Sequence, residues 1–531
     1  MNSPLNSQSD KPRILIICTH FHSDRTGKNE KIFLQTSAGV HVGSMIDLTK
    51  YDVKLYHESY HGPYDTEHLD DVVLVFLTGL QKDFDRMRQL AYFFRRQGTP
   101  VVAGGNICTM FPEFATEFFD AVSVGGVECI LAIMRDFEQG QLQTIYRSPQ
   151  TQLSNYVVKY ELLRDNHISS ILHLIEASRG CNFKCDFCVI PAEGASHTTY
   201  RVATVIETIQ HSIQTSPRWS FKRLFPVVFF IDNNFSNNIP HLKELCIALK
   251  HSRLLKGWGA LVTQNVLQNR EIVDLMSNSG CRVLFTGIES FDLQFLDRHN
   301  KVQNTHQSNV FDDIEYAQNQ GIAIMYPYMF DPRFASVAAM RQDMQMLTGL
   351  DVVAFPDFFT IVAPLVGTKL FWNNVDEGGL LPNLRLRDLD GQTLAYRHTV
   401  DDHADYSEFL RILFSDPMQL VDRVKFWRNL ALKTLKVAIH HPIAGYVFGS
   451  SSLNQFKGMF KIPEGGGRNF IGGQDILDPQ YEQYPDDISS EDKSRYFDPI
   501  KITDDAGNLQ PWLRPYHPQT SIATTSPVAN G

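Results

Sequence analysis

The chain has 531 residues, enough for two or three domains that each bury a core. Hydrophobic residues make up 43% and charged residues 20%, with a formal net charge of −10, which excludes a disordered chain and argues against a nucleic-acid scaffold. No apolar run reaches the ~18 residues that span a bilayer, and the polar start lacks the apolar stretch of a signal peptide, so a cytoplasmic protein with reduced thiols is expected.

Residues 1–12 read as a disordered start. Residues 13–18 form a short apolar strand, 39–48 a helix, and 52–57 a second strand. An almost wholly apolar third strand covers 71–77 and an amphipathic helix 84–96. A strand over 100–103 ends in Gly104-Gly105. Another over 120–124 ends in Gly125-Gly126, with a helix from Glu128 onward. Apolar strands alternating with helices make residues 13–150 an α/β domain, a doubly wound Rossmann-like parallel sheet. Ligands of such sheets sit at the C-terminal ends of the strands.

Residues 151–169 read as a linker. A second series of strands follows over 171–175, 224–231, 258–263, 283–288, 322–330 and 355–363, with helices over 203–214, 242–250, 270–277 and 310–319. Six such units over 170–390 predict a partial TIM-like barrel with its chemistry at the strand ends. Polar groups fall there: Asp232-Asn233-Asn234, Gln264 and Glu289. Residues 391–463 are helical by periodicity, with helices over 406–414 and 417–439, and should pack beside the barrel mouth. Residues 464–531, rich in Gly, Pro, Asp and Ser, read as an irregular tail whose last ~15 residues are disordered.

The densest chemistry lies between the linker and the helix over 203–214. Cys181, Cys185 and Cys188 have the spacing C-x3-C-x2-C in a chain with only eight cysteines. Independent placement would give this triple about 0.002 times. Three thiolates so close suit a soft metal centre. Structural zinc wants a fourth ligand, for which only His197 is near; an iron–sulfur cluster held by three thiolates keeps one iron open. Cys18, Cys108, Cys129, Cys246 and Cys281 are scattered in apolar contexts and read as buried small hydrophobes.

An apolar strand, then Arg179-Gly180-Cys181, the three cysteines, and the aromatic Phe187 before the last of them resemble the radical S-adenosylmethionine (SAM) enzymes. The likeness covers roughly residues 170–370. With the N-terminal part it is nearest to members that carry a cobalamin-binding domain ahead of the radical domain. It implies a 4Fe-4S cluster whose open iron chelates SAM. It also implies cleavage of SAM to a 5′-deoxyadenosyl radical, and an electron donor such as flavodoxin or ferredoxin. It places Asp232 and Asn234 near the methionine amino group and Gln264 and Glu289 near the ribose or the SAM carboxylate. Arg201 would face a carboxylate or the cluster's charge, and Phe187 the adenine. The plainer readings are a turn or helix N-cap for Asp232, a capped strand end for Glu289, a surface ion pair for Arg201 and core packing for Phe187.

For the N-terminal part the resemblance implies cobalamin held at Thr78, Gly104-Gly105 and Gly125-Gly126-Val127-Glu128. The first two fit the family pattern, and the third fits in part. The family's D-x-H-x-x-G is not matched: in His20-Phe21-His22-Ser23-Asp24-Arg25-Thr26-Gly27, Asp24 stands where the cobalt-ligating histidine would be. A protein imidazole on cobalt is therefore not expected, with His20 or His22 as the alternative. The implied activity is methylation of an unactivated carbon of a small molecule through methylcobalamin. The alternatives are an anaerobic oxidative cyclase or rearrangement enzyme with the same cofactors, or a sensor without turnover. A lipid or tetrapyrrole substrate fits the aromatic content of 11%.

Overall fold

The computed structural model describes residues 11–21, 37–69, 71–149, 156–163, 172–194, 196–305, 309–350, 355–455, 469–474 and 484–518. Most of the expected disordered start, much of the linker, His22, Asp24 and residues 519–531 lie outside these.

The N-terminal strands are β1 (Arg13–Cys18), β2 (Asp52–His57), β3 (Leu74–Gly79), β4 (Val101–Gly105), β5 (Ala121–Val124) and β6 (Ile145–Arg147). They form one sheet in the order β2-β1-β3-β4-β5-β6, every pair parallel. Ile14 to Ile17 are buried on both faces of the sheet, which is why β1 is a continuous apolar run without alternation. The three-residue β6 was not anticipated; so short a strand has no usable period.

The second sheet is also wholly parallel. Its strands are β7 (Leu172–Ile175), β8 (Val227–Phe230), β9 (Gly257–Thr263), β10 (Cys281–Gly287) and β11 (Ala323–Met325), in the order β11-β10-β9-β8-β7. The single strand expected over 322–330 is two: β11, and β12 (Pro327–Phe330), which pairs with β13 (Phe358–Ile361) instead. The break falls at Tyr326, whose N–H donates to the Asp357 carboxylate at 3.2 Å and whose carbonyl accepts the Asp357 N–H. A bridge between Glu289 and Tyr328 ties this second ladder to the end of β10. Helices begin where Asn238, Asn269, Asn309 and Ser336 accept a backbone N–H from the first turn.

The helices expected at 406–414 and 417–439 are His403–Ser415 and Arg423–His440. Asp422 caps the latter, after a 3₁₀ turn at Pro417–Leu420. The tail is not irregular throughout. Residues 484–518 include the helix Ser490–Tyr496 and run back to the N-terminal sheet. There Arg88 donates to the carbonyls of Arg495 and Asp498, and Asp85 pairs with Arg387 and accepts from the Ile500 N–H. Trp512 stacks on Phe114 with centroids 4.1 Å apart. One apolar core joins the near face of the N-terminal sheet to the barrel interior. The far face of that sheet forms a second core with residues from 366–395 and 496–513.

Candidate active site

The cysteine loop follows β7 and is held from two sides. On one side stands the polar turn after β8. The Asp232 carboxylate, fully buried, accepts the Ala177 N–H at 3.2 Å and the Ser178 hydroxyl at 2.5 Å. Asn233 accepts the Gly180 N–H at 2.9 Å, Asn237 accepts the Asn182 N–H at 3.3 Å, and Asn234 Nδ2 lies 4.0 Å from Cys181 Sγ. Gly180 itself has φ +81°, and a Cβ there would stand 2.6 Å from the Ser196 carbonyl oxygen, so only glycine makes this turn.

On the other side stands the segment 299–304, after the helix Leu293–Arg298. His299 bonds Asp186 Oδ1 at 2.9 Å through Nδ1 and Asp331 Oδ2 at 3.1 Å through Nε2. Its pKa is raised: burial opposes the charge, but the two carboxylates outweigh it. Asn300 donates to the Lys184 carbonyl at 2.7 Å, and Gln303 Nε2 donates to Cys185 Sγ at 3.3 Å. Buried Lys301 pairs with Glu289, a non-glycine residue at φ +58°.

The three cysteines are free; Cys185 is buried, and Cys181 and Cys188 are half-buried. Burial pushes the Cys188 thiol up to about 12, and the two neighbouring thiols push the same way, so the three sulfurs sense one another's charge. Lys301 acts in the opposite direction on Cys185 and Cys188. Among the described residues no three His, Cys, Asp or Glu side chains converge as a single-ion site requires. Three neighbouring but unconverged thiols, with a buried cation and an N–H donor beside them, fit an anionic cluster whose ligated irons stand apart.

A cavity of about 330 Å³ opens where the two sheets meet. Its N-terminal wall includes Thr78, Gly104, Gly105, Gly125, Gly126 and Glu128; its barrel wall includes Glu176, Arg179, Gly180 and Asn233. Gly105 has φ +116°, and a Cβ there would meet the Gly79 carbonyl oxygen at 2.3 Å. Glycines along this slot leave its backbone bare, which fits close approach of a large ligand.

Arg179 crosses the cavity wall. It bonds Glu176 at 2.8 Å and, from the other sheet, Glu128 at 3.1 Å. Burial pushes the Glu176 carboxyl up, but Arg179, His41 and hydrogen bonds from Arg179 and Tyr200 hold it below the ordinary range. His41 is buried; desolvation carries its pKa down to about 4 against the pull of Glu176, and its Nδ1 meets the Tyr156 hydroxyl at 2.6 Å.

The expected site residues therefore divide. Thr78 and the four glycines share the cavity with residues that flank the cysteine loop. Asp232 accepts from Ala177 and Ser178 and so braces the loop. Asn234 braces too, accepting from Ser236 and Thr263. Glu289 is neutralised by Lys301 and Gln264 is buried outside the cavity. Phe187 packs edge-on against His299 within a small apolar cluster, and Arg201 is exposed at the start of a helix. His20 lies against Lys82 and Asp83, outside the cavity wall. Sequence reasoning missed His41, Arg179, Glu176, Lys301 and Gln303. Only Arg179 carried a signal, as the first residue of Arg179-Gly180-Cys181.

A parallel Rossmann-like sheet ahead of a second parallel sheet, with a three-cysteine loop where the two meet, is the arrangement that the resemblance to cobalamin-binding radical SAM enzymes implies. No family model matches this chain. Its curated relatives include a bacteriochlorophyllide d C-8(2)-methyltransferase of Chlorobaculum tepidum, 22% identical over 418 residues that cover 74% of this chain and 87% of the relative. A hopanoid C-2 methylase of Rhodopseudomonas palustris is 24% identical over 43% of this chain and 44% of the relative. Among solved structures, the radical SAM methyltransferase TsrM of Kitasatospora setae, with cobalamin and a 4Fe-4S cluster bound, matches with a TM-score of 0.51 at 15% identity, over 71% of this chain and 77% of that one. The cobalamin-dependent SAM radical enzyme OxsB, with aqua-cobalamin and SAM bound, matches with 0.56 at 12% identity, over 82% and 72%.

Proposed function

We propose that this chain is a cobalamin-dependent radical SAM methyltransferase that methylates an unactivated carbon of a small molecule, of the kind represented by the bacteriochlorophyllide and hopanoid substrates of its relatives. The observation that carries this reading is the shared cavity, in which Gly104, Gly105, Gly125 and Gly126 face Arg179, Gly180 and Asn233 beside the cysteine loop. Residues 13–150 form the cobalamin-binding domain and 170–390 the radical domain. The enzyme works in the cytoplasm with a flavodoxin- or ferredoxin-type electron donor. When bound, the cluster, SAM and cobalamin supply the radical and the transferable methyl group.

The protein's own residues hold, orient and shield. Cys181, Cys185 and Cys188 would hold the cluster, their protons displaced by iron. Asp232, Asn233 and Asn237 on one side, and His299 and Asn300 on the other, fix the loop backbone so that the thiols are preorganised. Lys301 and Gln303 place a cation and an N–H donor against Cys185 and so favour added negative charge there. Thr78 and the four glycines would cradle cobalamin. Arg179, with its two carboxylates, closes the seam between the sheets and keeps water out of it. Methyl transfer is favoured over cyclisation or sensing because these relatives are a methyltransferase and a methylase over long stretches.

The test is anaerobic reconstitution with iron, sulfide, cobalamin and SAM carrying a labelled methyl group, followed by incubation with bacteriochlorophyllide or hopanoid acceptors. Product that gains one labelled CH₂ unit and depends on cobalamin supports the reading. SAM cleavage without label transfer to any acceptor refutes it.

A further inference from the structure

The helices Arg423–His440 and Pro442–Gln455 form a hairpin on the flank of the barrel, where Val437, Ala444 and Phe448 pack with Ala323 of β11. The side of the first helix that faces the protein carries Phe426, Asn429, Lys433 and Val437. The side that faces solvent is the more apolar: Val424 is 79% exposed, Leu435 60%, Ile439 73% and Trp427 50%, with Tyr446 of the second helix 72%. Positions 424, 428, 431, 435 and 439 fall on one stripe at helical spacing, apolar except at Arg428, so the exposure is one face and not scattered residues.

Charge says what covers it. The first helix carries Arg423, Lys425, Arg428, Lys433 and Lys436 with no acidic residue, and the second has no charged residue, in a chain of net charge −10. Lys433 is turned inward to the Leu350 carbonyl and Lys436 pairs with Glu315. Arg423 and Lys425 flank the outward stripe and Arg428 lies within it, with Asp422 4.0 Å from Lys425 across an exposed pair. A second copy of the chain would bring these same cations against themselves. Among the described residues no helix is long and apolar enough to cross a membrane. A helix with an apolar stripe, a tryptophan and flanking cations suits the plane of an anionic bilayer surface, with the stripe among the acyl chains and the basic side chains at the headgroups.

We propose that this hairpin docks the protein on anionic lipid surfaces. The test is sedimentation of the full-length protein with vesicles of equal phosphatidylglycerol and phosphatidylcholine, against phosphatidylcholine alone. Binding should require the anionic lipid and weaken as salt is raised. The R423Q/K425Q/R428Q variant should bind on the order of 100-fold more weakly, at about one kcal/mol per basic residue converted to its fold-change. The W427S/L435S/I439S variant should lose binding, while its thermal melting stays that of wild type because all three side chains are at least half exposed. Wild type that does not pellet above the phosphatidylcholine background, or variants that bind as wild type does, would overturn the proposal. So would a concentration-dependent dimer, seen by analytical ultracentrifugation and dissolved by the serine variant, in a protein that ignores vesicles; that result would give the face to a second copy.

Discussion

Replacing Arg179 with methionine tests whether one side chain joins the two sheets. Arg179 is 20% exposed and serves two carboxylates, Glu128 at 4% and Glu176 at 14%. Removing one partner of a buried pair costs about 3–5 kcal/mol, since the remaining charge is left without compensation. Tyr200 and His41 stay beside Glu176, so the loss should fall within that range and not double it. The sign of the pH dependence follows from Glu176. In the wild type its carboxyl lies below the ordinary range, so it contributes stability above a pH of about 4.3 that is lost on further acidification. Without Arg179, burial prevails and the carboxyl moves up, so stability falls as pH rises above about 4.3. The difference between variant and wild type should therefore be largest at neutral pH and shrink toward pH 5. Urea unfolding of the apoprotein at both pH values measures this, and adding E128Q to the variant should restore at least ~1 kcal/mol. A loss under about 1 kcal/mol at neutral pH, or one that does not vary with pH, refutes the account of Arg179 as the clasp.

Four further outcomes are expected. Alanine at Cys181, Cys185 or Cys188 should abolish reductive SAM cleavage and most iron uptake on anaerobic reconstitution; full iron retention would contradict the ligand assignment. Gly105→Ala places a methyl group 2.3 Å from the Gly79 carbonyl oxygen at φ +116°, so the variant should lose about 1–3 kcal/mol and fail to retain cobalamin on gel filtration, read by its absorbance. Burial holds the Asp232 carboxyl up at about 7, so the folded protein binds an extra proton and loses stability as pH rises from about 4 to 7; Asp232→Asn should flatten that slope, and an unchanged slope would clear Asp232 of the effect. Gln303→Leu removes the N–H donor to Cys185 and should move the cluster's midpoint potential to more negative values in an EPR-monitored titration, whereas a positive shift or none would show that Gln303 serves packing alone.

Most of the architecture was legible because its signals are local. The apolar runs of β1, β3 and β8 exceed any helix-period pattern, and three cysteines in eight residues have few meanings. The illegible part depends on contacts far apart in sequence. That Asp232 would reach Ala177 and Ser178 follows from the parallel register of β7 and β8, which no window around Asp232 contains. Glu289 looked like an available carboxylate until the fold put Lys301 against it. The split at Tyr326 had no marker either: the stretch is apolar throughout, and its change of partner is decided by Asp357, about thirty residues on.

The return of residues 484–518 to the N-terminal sheet bears on synthesis. The far face of β1, β3 and β4 is among the first apolar surfaces made, yet part of its cover, Tyr496, Phe497, Ile502 and Leu513, leaves the ribosome about 400 residues later. At roughly 5–20 residues per second that interval is on the order of 20–80 seconds, during which the sheet can pair its strands but cannot finish its outer core. A ribosome stalled late in the message would release a chain that has both sheets and all three cluster cysteines, with a sticky, half-covered face, and chaperone demand should be set by those last residues.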